Sequence, residues 1–170
     1  MEKLLTSNPN MIRSFKKYIS ADNVFVAMII ICLLPFFGLF LFVFPATDDY
    51  RFASSVMSMG FWKTQVDCYV QWMGRYFLTG VLSVNPIIFK SIALYRLALL
   101  MMFLCLLHAL YQLIYELVGA YLGKKRTFIA SMALFVLYLS QTQSVYQWFY
   151  WYSGAATYQL PSILSLYLGG

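Results

Sequence analysis

Two adjacent carboxylates, Asp48 and Asp49, follow directly on a long apolar run and are the clearest candidates for chemistry in this sequence. A partly buried carboxylate at a membrane surface can take a proton from an acceptor hydroxyl as a general base. Two neighbouring carboxylates can also share a divalent cation, but the sequence offers no third ligand, so we assign no metal and expect no cofactor. A structural role competes with catalysis, because Thr47 or Asp48 would cap a helix that begins near Tyr50.

A cation between two aromatic residues lies further along the same polar region, where Arg75 stands between Trp72 and Tyr76. A guanidinium forms paired hydrogen bonds with phosphate oxygens, so Arg75 is a candidate for binding a lipid phosphate or diphosphate. Trp72 and Tyr76 are substrate-binding candidates beside it. The competing interpretation is an arginine that extends its head to the membrane surface.

An aromatic segment occupies positions 147–161, and its candidate binding residues are Trp148, Trp151 and Tyr158. Aromatic faces interspersed with hydroxyls and amides suit a sugar ring, whose C–H face packs on an aromatic ring while its hydroxyls need polar partners. An aromatic belt at the membrane interface is the alternative. Gly154 and Pro161 indicate a shaped loop that leads into a new helix, which a belt does not require.

Long apolar runs must position these residues. Val24 to Phe44 is free of charge, and a helix of that length covers the ~30 Å hydrocarbon core of a bilayer. Further runs cover about residues 92–122, 127–141 and 160–170, the last of them incomplete. The sequence therefore predicts an all-α fold, a polytopic transmembrane protein with spans at about 24–45, 92–122, 127–141 and 160–170. We expect residues 1–170 to form a single transmembrane domain, the N-terminal part of a larger one.

The segment from Trp62 to Phe77 has an apolar face opposite Lys63 and Asp67, which predicts an amphipathic helix lying in the membrane interface. Orientation follows from the basic residues, which lie in cytoplasmic segments of membrane proteins. They precede the first apolar run and follow the second, at Lys3, Arg13, Lys16, Lys17 and 124–126. This pattern predicts a cytoplasmic N-terminus, with residues 46–90 and 141–159 outside.

Composition excludes several classes of protein. The chain is 62% hydrophobic and 11% charged, whereas soluble domains are about 45–50% apolar and about 25% charged. The net charge of +6 comes from basic residues at the ends of apolar runs, so nucleic acid is not an expected partner. Cys32, Cys68 and Cys105 have no paired spacing and indicate neither a disulfide framework nor a zinc site. His108 and Gln112 share a helix face, which favours a helix–helix hydrogen bond over a ligand role.

A family resemblance rests on three motifs: Asp48-Asp49-Tyr50 directly after the first apolar run, then Trp72-Met73-Gly74-Arg75-Tyr76, then Trp148 to Gly154 with Tyr158 and Leu160-Pro161. Over about residues 24–168 the chain resembles bacterial GT-C-type membrane glycosyltransferases, and it looks closest to the glucosyltransferase-II-like proteins. The resemblance implies that Asp48 or Asp49 is the catalytic base and that Arg75 binds phosphate. Members of that family have more membrane helices than this chain.

The expected function is transfer of a sugar from a polyprenyl-phosphate donor to a cell-surface glycan or lipid acceptor, on the outer face of the bacterial inner membrane. Membrane lipid and the polyprenyl-phosphate sugar are the expected partners. The alternative is a small non-enzymatic membrane protein, such as a flippase of lipid-linked sugars or a polysaccharide-export subunit. That alternative predicts critical polar residues within the spans rather than in the loops.

Overall fold

A computed structural model describes residues 21–72 and 74–169, and every regular element in these two stretches is helical, which confirms the all-α prediction. The basic leader with Lys3, Arg13, Lys16 and Lys17 lies outside the described residues, as do Met73 and Gly170. The helices are α1 Ala21–Leu39, α2 Thr47–Met59, α3 Phe61–Gln71, α4 Tyr76–Ser83, α5 Ile92–Gln141 and α6 Leu160–Gly169. Short 3₁₀ turns cover Phe40–Phe42 and Pro86–Phe89, and π-helical turns at Tyr146–Tyr150 and Ala155–Gln159 flank one α-helical turn, Tyr152–Gly154.

Two helical runs, Ala21–Phe42 and Ile92–Gln141, are long and apolar enough to cross a membrane. The second is a hairpin, because Gly123 adopts φ 72° and ψ 160°, a conformation open almost only to glycine. The two arms, residues 92–122 and 124–141, lie side by side. Phe103 packs on Phe135 with 4.9 Å between ring centroids, and nearer the turn Tyr111 packs on Phe128 at 6.1 Å. The break at Gly123 agrees with the predicted boundary between the second and third apolar runs.

Gly123→Ala is expected to lower the free energy of unfolding by about 1–3 kcal/mol, because an alanine Cβ makes this backbone conformation strained. Gly38→Ala is the matched control, since Gly38 lies inside α1 and no atom lies within 4 Å of an added Cβ. The control should be neutral or slightly stabilising, because alanine loses less entropy in a helix than glycine. Thermal unfolding midpoints in detergent compare the two variants, and equal midpoints would contradict the strained turn.

Phe103 is the centre of the core. Its ring makes edge-to-face contacts with Phe37, Phe40, Phe135 and Phe149 at centroid distances of 4.9–5.5 Å. Such pairs contribute about 0.5–1.5 kcal/mol beyond the burial of their area. This single side chain therefore joins the end of α1, both arms of the hairpin and the 146–150 turn.

The two ends of the bundle can be distinguished by their contacts. At one end Lys125, beside the hairpin turn, forms a 3.6 Å ion pair with Asp22 at the start of α1. The pair is exposed and adds little stability. It shows, however, that the start of α1 lies close to the basic residues 124–126 at the hairpin turn. At the other end Tyr152 Oη donates to the carbonyl oxygen of Val81 at 3.2 Å. We call this second end, formed by residues 46–90 and 142–159, the loop end.

The prediction of one amphipathic helix from Trp62 to Phe77 is wrong. Helix α3 ends at Gln71 and α4 begins at Tyr76, so the chain folds back between them. Gln65 of α3 is bonded to α4: its Nε2 donates to the Thr79 carbonyl oxygen at 3.1 Å, and its Oε1 accepts from Thr79 Oγ1 at 2.8 Å. These bonds, with Tyr69 stacked on Tyr76 nearer the turn, hold the two helices antiparallel. Apolar periodicity continues through the turn and does not reveal it.

Candidate functional site

Asp49 is fully buried at the loop end, and its carboxylate accepts four hydrogen bonds. Oδ2 accepts from the Ala46 N–H at 3.0 Å and from Tyr95 Oη at 2.7 Å. Oδ1 accepts from the Ser153 N–H at 3.0 Å and from Ser153 Oγ at 2.6 Å. All four partners are donors, which is the environment of an ionised carboxylate. Asp49 thus ties α2 to the first turn of α5 and to the aromatic segment.

Helix α2 begins at Thr47, and the predicted cap by Thr47 or Asp48, with a start near Tyr50, is wrong. The cap comes from Asp49 in the third position, whose side chain reaches back to the Ala46 N–H. This is the reaching-back half of a capping box. Asn85 Nδ2 donates to the Asp49 carbonyl oxygen at 3.1 Å, so the backbone of the same residue is also held.

Two tyrosines extend the Asp49 network. Tyr95 Oη accepts from the Tyr152 N–H at 3.0 Å while it donates to Asp49. Tyr152 is nearly fully buried, and burial, with the nearby negative charge of Asp49, raises the pKa of its phenol to about 12. The phenol therefore stays protonated and remains a donor to Val81 throughout the physiological range.

Asp48 differs from its neighbour. It is half-buried, and within residues 21–72 and 74–169 its carboxylate forms no hydrogen bond or ion pair. Arg51 lies three residues further along α2 and so shares its helix face. In the acidic pair, both oxygens of the Asp49 carboxylate therefore accept hydrogen bonds, whereas among the described residues the Asp48 carboxylate accepts none. No group of three potential metal ligands occurs among the described residues.

The structure does not bring Arg75 onto its flanking aromatics. Arg75 is exposed at the start of α4, and in the part of the chain that the structure describes its guanidinium has no partner. Tyr76 stacks instead on Tyr69 at 4.5 Å between centroids, with 17° between the ring planes. Trp72 makes a cation–π contact with Arg51, whose Cζ lies 4.6 Å from the centroid of the indole ring. The cation–aromatic pair of this region is therefore Arg51–Trp72.

The aromatic segment is brought together in part. Trp148 and Tyr158 stack with centroids 5.2 Å apart and an interplanar angle of 24°. Trp151 is half-buried, and its Nε1 is buried without a hydrogen-bond partner. Gln159 is fully buried, and both of its amide atoms lack a partner too. These three are the unsatisfied side-chain atoms among the buried ones described, and a buried polar group without a partner is rare in folded proteins. The π-helical turns that hold them are common at functional sites.

Gly154→Ala is expected to destabilise the aromatic segment severely. An added Cβ would lie 2.0 Å from the Gln147 carbonyl oxygen and 2.9 Å from the Trp151 ring, and a backbone oxygen cannot move away cheaply. Overpacking typically costs about 1–3 kcal/mol, and we expect the upper part of that range. Gly80→Ala in α4 is the control, because no atom lies within 4 Å of its added Cβ.

The two variants, Gly154→Ala and Gly80→Ala, are compared by their thermal unfolding midpoints and their intrinsic tryptophan fluorescence. A fluorescence spectrum and midpoint of Gly154→Ala that match those of Gly80→Ala would contradict the close packing at Gly154.

Two of the clefts among the described residues contain a candidate binding residue, Trp72 in one and Trp148 in the other. One, of about 160 Å³, lies between α2 and α3 and is mostly polar; its lining residues are Arg51, Phe52, Ser55, Thr64, Asp67, Cys68, Gln71 and Trp72. The other, of about 360 Å³, lies beside Trp148 and the end of the hairpin; its lining residues are Tyr138, Gln141, Thr142, Gln143 and Trp148.

The sequence did not single out the partners of Asp49 or the role of Arg51. Tyr95 and Ser153 are 46 and 104 residues from Asp49 along the chain, so no local pattern links them. The sequence could have indicated Arg51, because a residue three positions after Asp48 in a helix lies on the same face as Asp48.

Comparison of the chain with protein-family models, with curated proteins and with solved structures gives no match.

Proposed function

We propose that the chain is a polytopic membrane protein. The first helical run has a mean hydropathy of 2.9 over its most apolar window, and only 11% of that window is buried. A core helix of a soluble protein would be covered, whereas this surface needs a hydrocarbon environment. The hairpin supports two further crossings. Its arms, residues 92–122 and 124–141, have 31 and 18 residues. At 1.5 Å per residue the first arm is about 46 Å long, more than enough to cross the ~30 Å hydrocarbon core, and the second, at about 27 Å, nearly matches it. The interfacial element is α3, whose Trp62, Val66 and Val70 form an exposed apolar stripe.

The proposed location is the bacterial inner membrane, with the N-terminus in the cytoplasm and the loop end outside. The ion pair between Lys125 and Asp22 supports this orientation, because it puts the basic triplet 124–126 beside the start of α1. Positive residues at one end of a bundle retain that end in the cytoplasm.

A cysteine introduced at the loop end is expected to react with a membrane-impermeant maleimide on intact bacteria. Ser54→Cys, at an exposed position of α2, is that variant, and Lys124→Cys, exposed beside the hairpin turn, is the matched variant at the other end. Both are made with Cys32, Cys68 and Cys105 replaced by serine. We expect labelling of position 54 in intact cells and of position 124 only after lysis. The reverse pattern would contradict the orientation.

The function that the site supports best is that of a membrane glycosyltransferase, which moves a sugar from a polyprenyl-phosphate donor to a glycan or lipid acceptor. One observation carries this proposal: among the described residues the Asp48 carboxylate has no partner, and it lies at the loop end next to a carboxylate that fixes the backbone around it. A general base has to be accessible and firmly positioned, and this arrangement meets both needs.

In the proposed reaction Asp48 takes the proton of the acceptor hydroxyl, and the hydroxyl oxygen bonds to the anomeric carbon of the donor sugar. The bond between that carbon and the phosphate oxygen breaks, and the electron pair leaves with polyprenyl phosphate. Arg75, exposed and unpartnered among the described residues, is the proposed phosphate-binding group. The stacked Trp148 and Tyr158 offer an aromatic face to a sugar ring.

Transfer of a radiolabelled sugar from polyprenyl-phosphate donors, by the full-length protein in proteoliposomes, tests the proposal. Transfer that depends on Asp48 supports the proposal. The proposal is contradicted if the protein transfers sugar to none of the acceptors supplied while extracts of the native host that lack this protein still perform the reaction.

A transporter of lipid-linked sugars is the second candidate from the sequence, and the polar residues within the spans do not favour it. His108 Nδ1 lies 2.6 Å from Tyr167 Oη of α6, and His108 Nε2 lies 3.4 Å from Gln112 Nε2. The Tyr167 contact joins α5 to α6 and is the predicted helix–helix hydrogen bond, whereas the Gln112 contact lies within α5. Packing of α5 against α6 therefore explains His108 without transport.

A further inference from the structure

The cleft between α2 and α3 holds charges of both signs that are not paired with each other. Arg51 and Asp67 both line it, and the ion pair Lys125–Asp22 is the one that the described residues form. Both charges act on the same thiol, since burial and the Asp67 charge raise the pKa of Cys68 while Arg51 opposes them. Arg51 and Asp67 therefore lie near Cys68 from opposite sides of the cleft without neutralising each other.

Four polar side chains of the cleft have hydrogen-bonding capacity to spare. In residues 21–72 and 74–169, the side chains of Ser55, Asp67 and Gln71 form no hydrogen bond, and Arg51 has only its contact with the Trp72 ring. The cleft thus offers a carboxylate that accepts, a guanidinium that donates, and a hydroxyl and an amide that do both. At about 160 Å³ it is smaller than the about 300–1,000 Å³ pockets of drug-sized ligands, so it suits one ring-sized group.

We propose that this cleft binds a neutral pyranose ring, the sugar unit of the acceptor. A phosphate or another anion would be repelled by Asp67, and a cation would be repelled by Arg51, whereas neighbouring sugar hydroxyls donate to a carboxylate and accept from a guanidinium at once. The Trp72 and Phe52 rings, 5.6 Å apart, give the apolar part of the wall.

The position of the cleft identifies the ring as the acceptor. Arg51 lies three residues after Asp48, and Ser55 lies four residues after Arg51, so all three are on one face of α2. A ring seated against Arg51 and Asp67 would have a hydroxyl within about one helical turn of the proposed base. The assignment as an acceptor rests on the proposed function, whereas the binding of a neutral sugar ring does not.

The test is saturation-transfer-difference NMR of the full chain in detergent with methyl glucopyranoside, methyl galactopyranoside and methyl mannopyranoside, and with inorganic phosphate as competitor. We expect ring-proton signals from at least one glycoside and no competition by phosphate. Asp67→Asn and Arg51→Gln should each weaken binding about tenfold, because a hydrogen bond to a charged partner is lost or replaced by a neutral one.

Glu116→Gln is the matched control, since Glu116 is an exposed carboxylate on α5 outside the cleft. It should bind the glycosides as the unchanged chain does. Arg51 is exposed and Asp67 is partly exposed, and among the described residues neither side chain makes a hydrogen bond. Their variants are therefore expected to fold, and the unfolding midpoint checks this.

Three outcomes overturn the proposal: no glycoside signal from the unchanged chain, equal glycoside binding by Asp67→Asn, or displacement of the glycoside by phosphate. Normal sugar transfer by Asp67→Asn would reject the cleft as the acceptor site and keep the glycosyltransferase. A chain that binds glycosides through Asp67 but transfers no sugar would keep the cleft and reject the glycosyltransferase.

Discussion

Asp49→Asn is expected to lower the free energy of unfolding by about 3 kcal/mol or more, the largest effect on stability of any single change considered. The asparagine amide group has to face either the Tyr95 and Ala46 donors or the two donors of Ser153. Donors then oppose donors, and each buried group left unsatisfied costs about 1–3 kcal/mol. Thermal unfolding in detergent, followed by circular dichroism, measures the change.

Ser153→Ala and Tyr95→Phe are the graded controls for Asp49→Asn. Each removes a hydroxyl donor and leaves the carboxylate with three hydrogen bonds, so each should destabilise less than Asp49→Asn. If Asp49→Asn unfolds at the same temperature as the unchanged chain, the carboxylate does not hold the loop end together.

Asp48→Asn is expected to reduce sugar transfer about 10²–10⁴-fold, the range that a general base contributes. An amide cannot take the proton of the acceptor hydroxyl, so the loss should appear in kcat rather than in glycoside binding. The unfolding midpoint should not change, because among the described residues no partner depends on the Asp48 carboxylate.

Glu116→Gln is the control for Asp48→Asn as well, since it removes one exposed carboxylate elsewhere on the chain and should leave transfer intact. A normal transfer rate in Asp48→Asn would contradict the role of this residue as the base.

Much of the fold follows from apolar patterning. The charge-free run before Pro45 predicts the first helix, and the basic triplet after residue 122 predicts the hairpin boundary that Gly123 makes. These features are local, because length, hydropathy and a glycine at a turn are properties of short stretches of chain. The break between α3 and α4 escaped prediction for a physical reason: the bonds of Gln65 to Thr79 join residues 14 apart, and no short window contains both.

The candidate site was predictable only as a set of residue types. The sequence identified Asp48 and Asp49 together but treated them as interchangeable, since neighbours in sequence have the same local context. Their different roles come from Tyr95 and Ser153, which reach Asp49 from distant parts of the chain. The same limit applies to Trp72, whose cation partner is Arg51 and not the neighbouring Arg75.

We propose that Asp48 is the catalytic base and that Asp49 holds the loop end together, and parallel measurements on two variants separate these roles. Sugar transfer per folded molecule and the unfolding midpoint are measured on Asp48→Asn and Asp49→Asn prepared in parallel. We predict a normal midpoint with transfer reduced at least about 100-fold for Asp48→Asn, and a strongly lowered midpoint for Asp49→Asn. Full transfer by Asp48→Asn, together with a normal midpoint for Asp49→Asn, would show that the two aspartates do not have these roles.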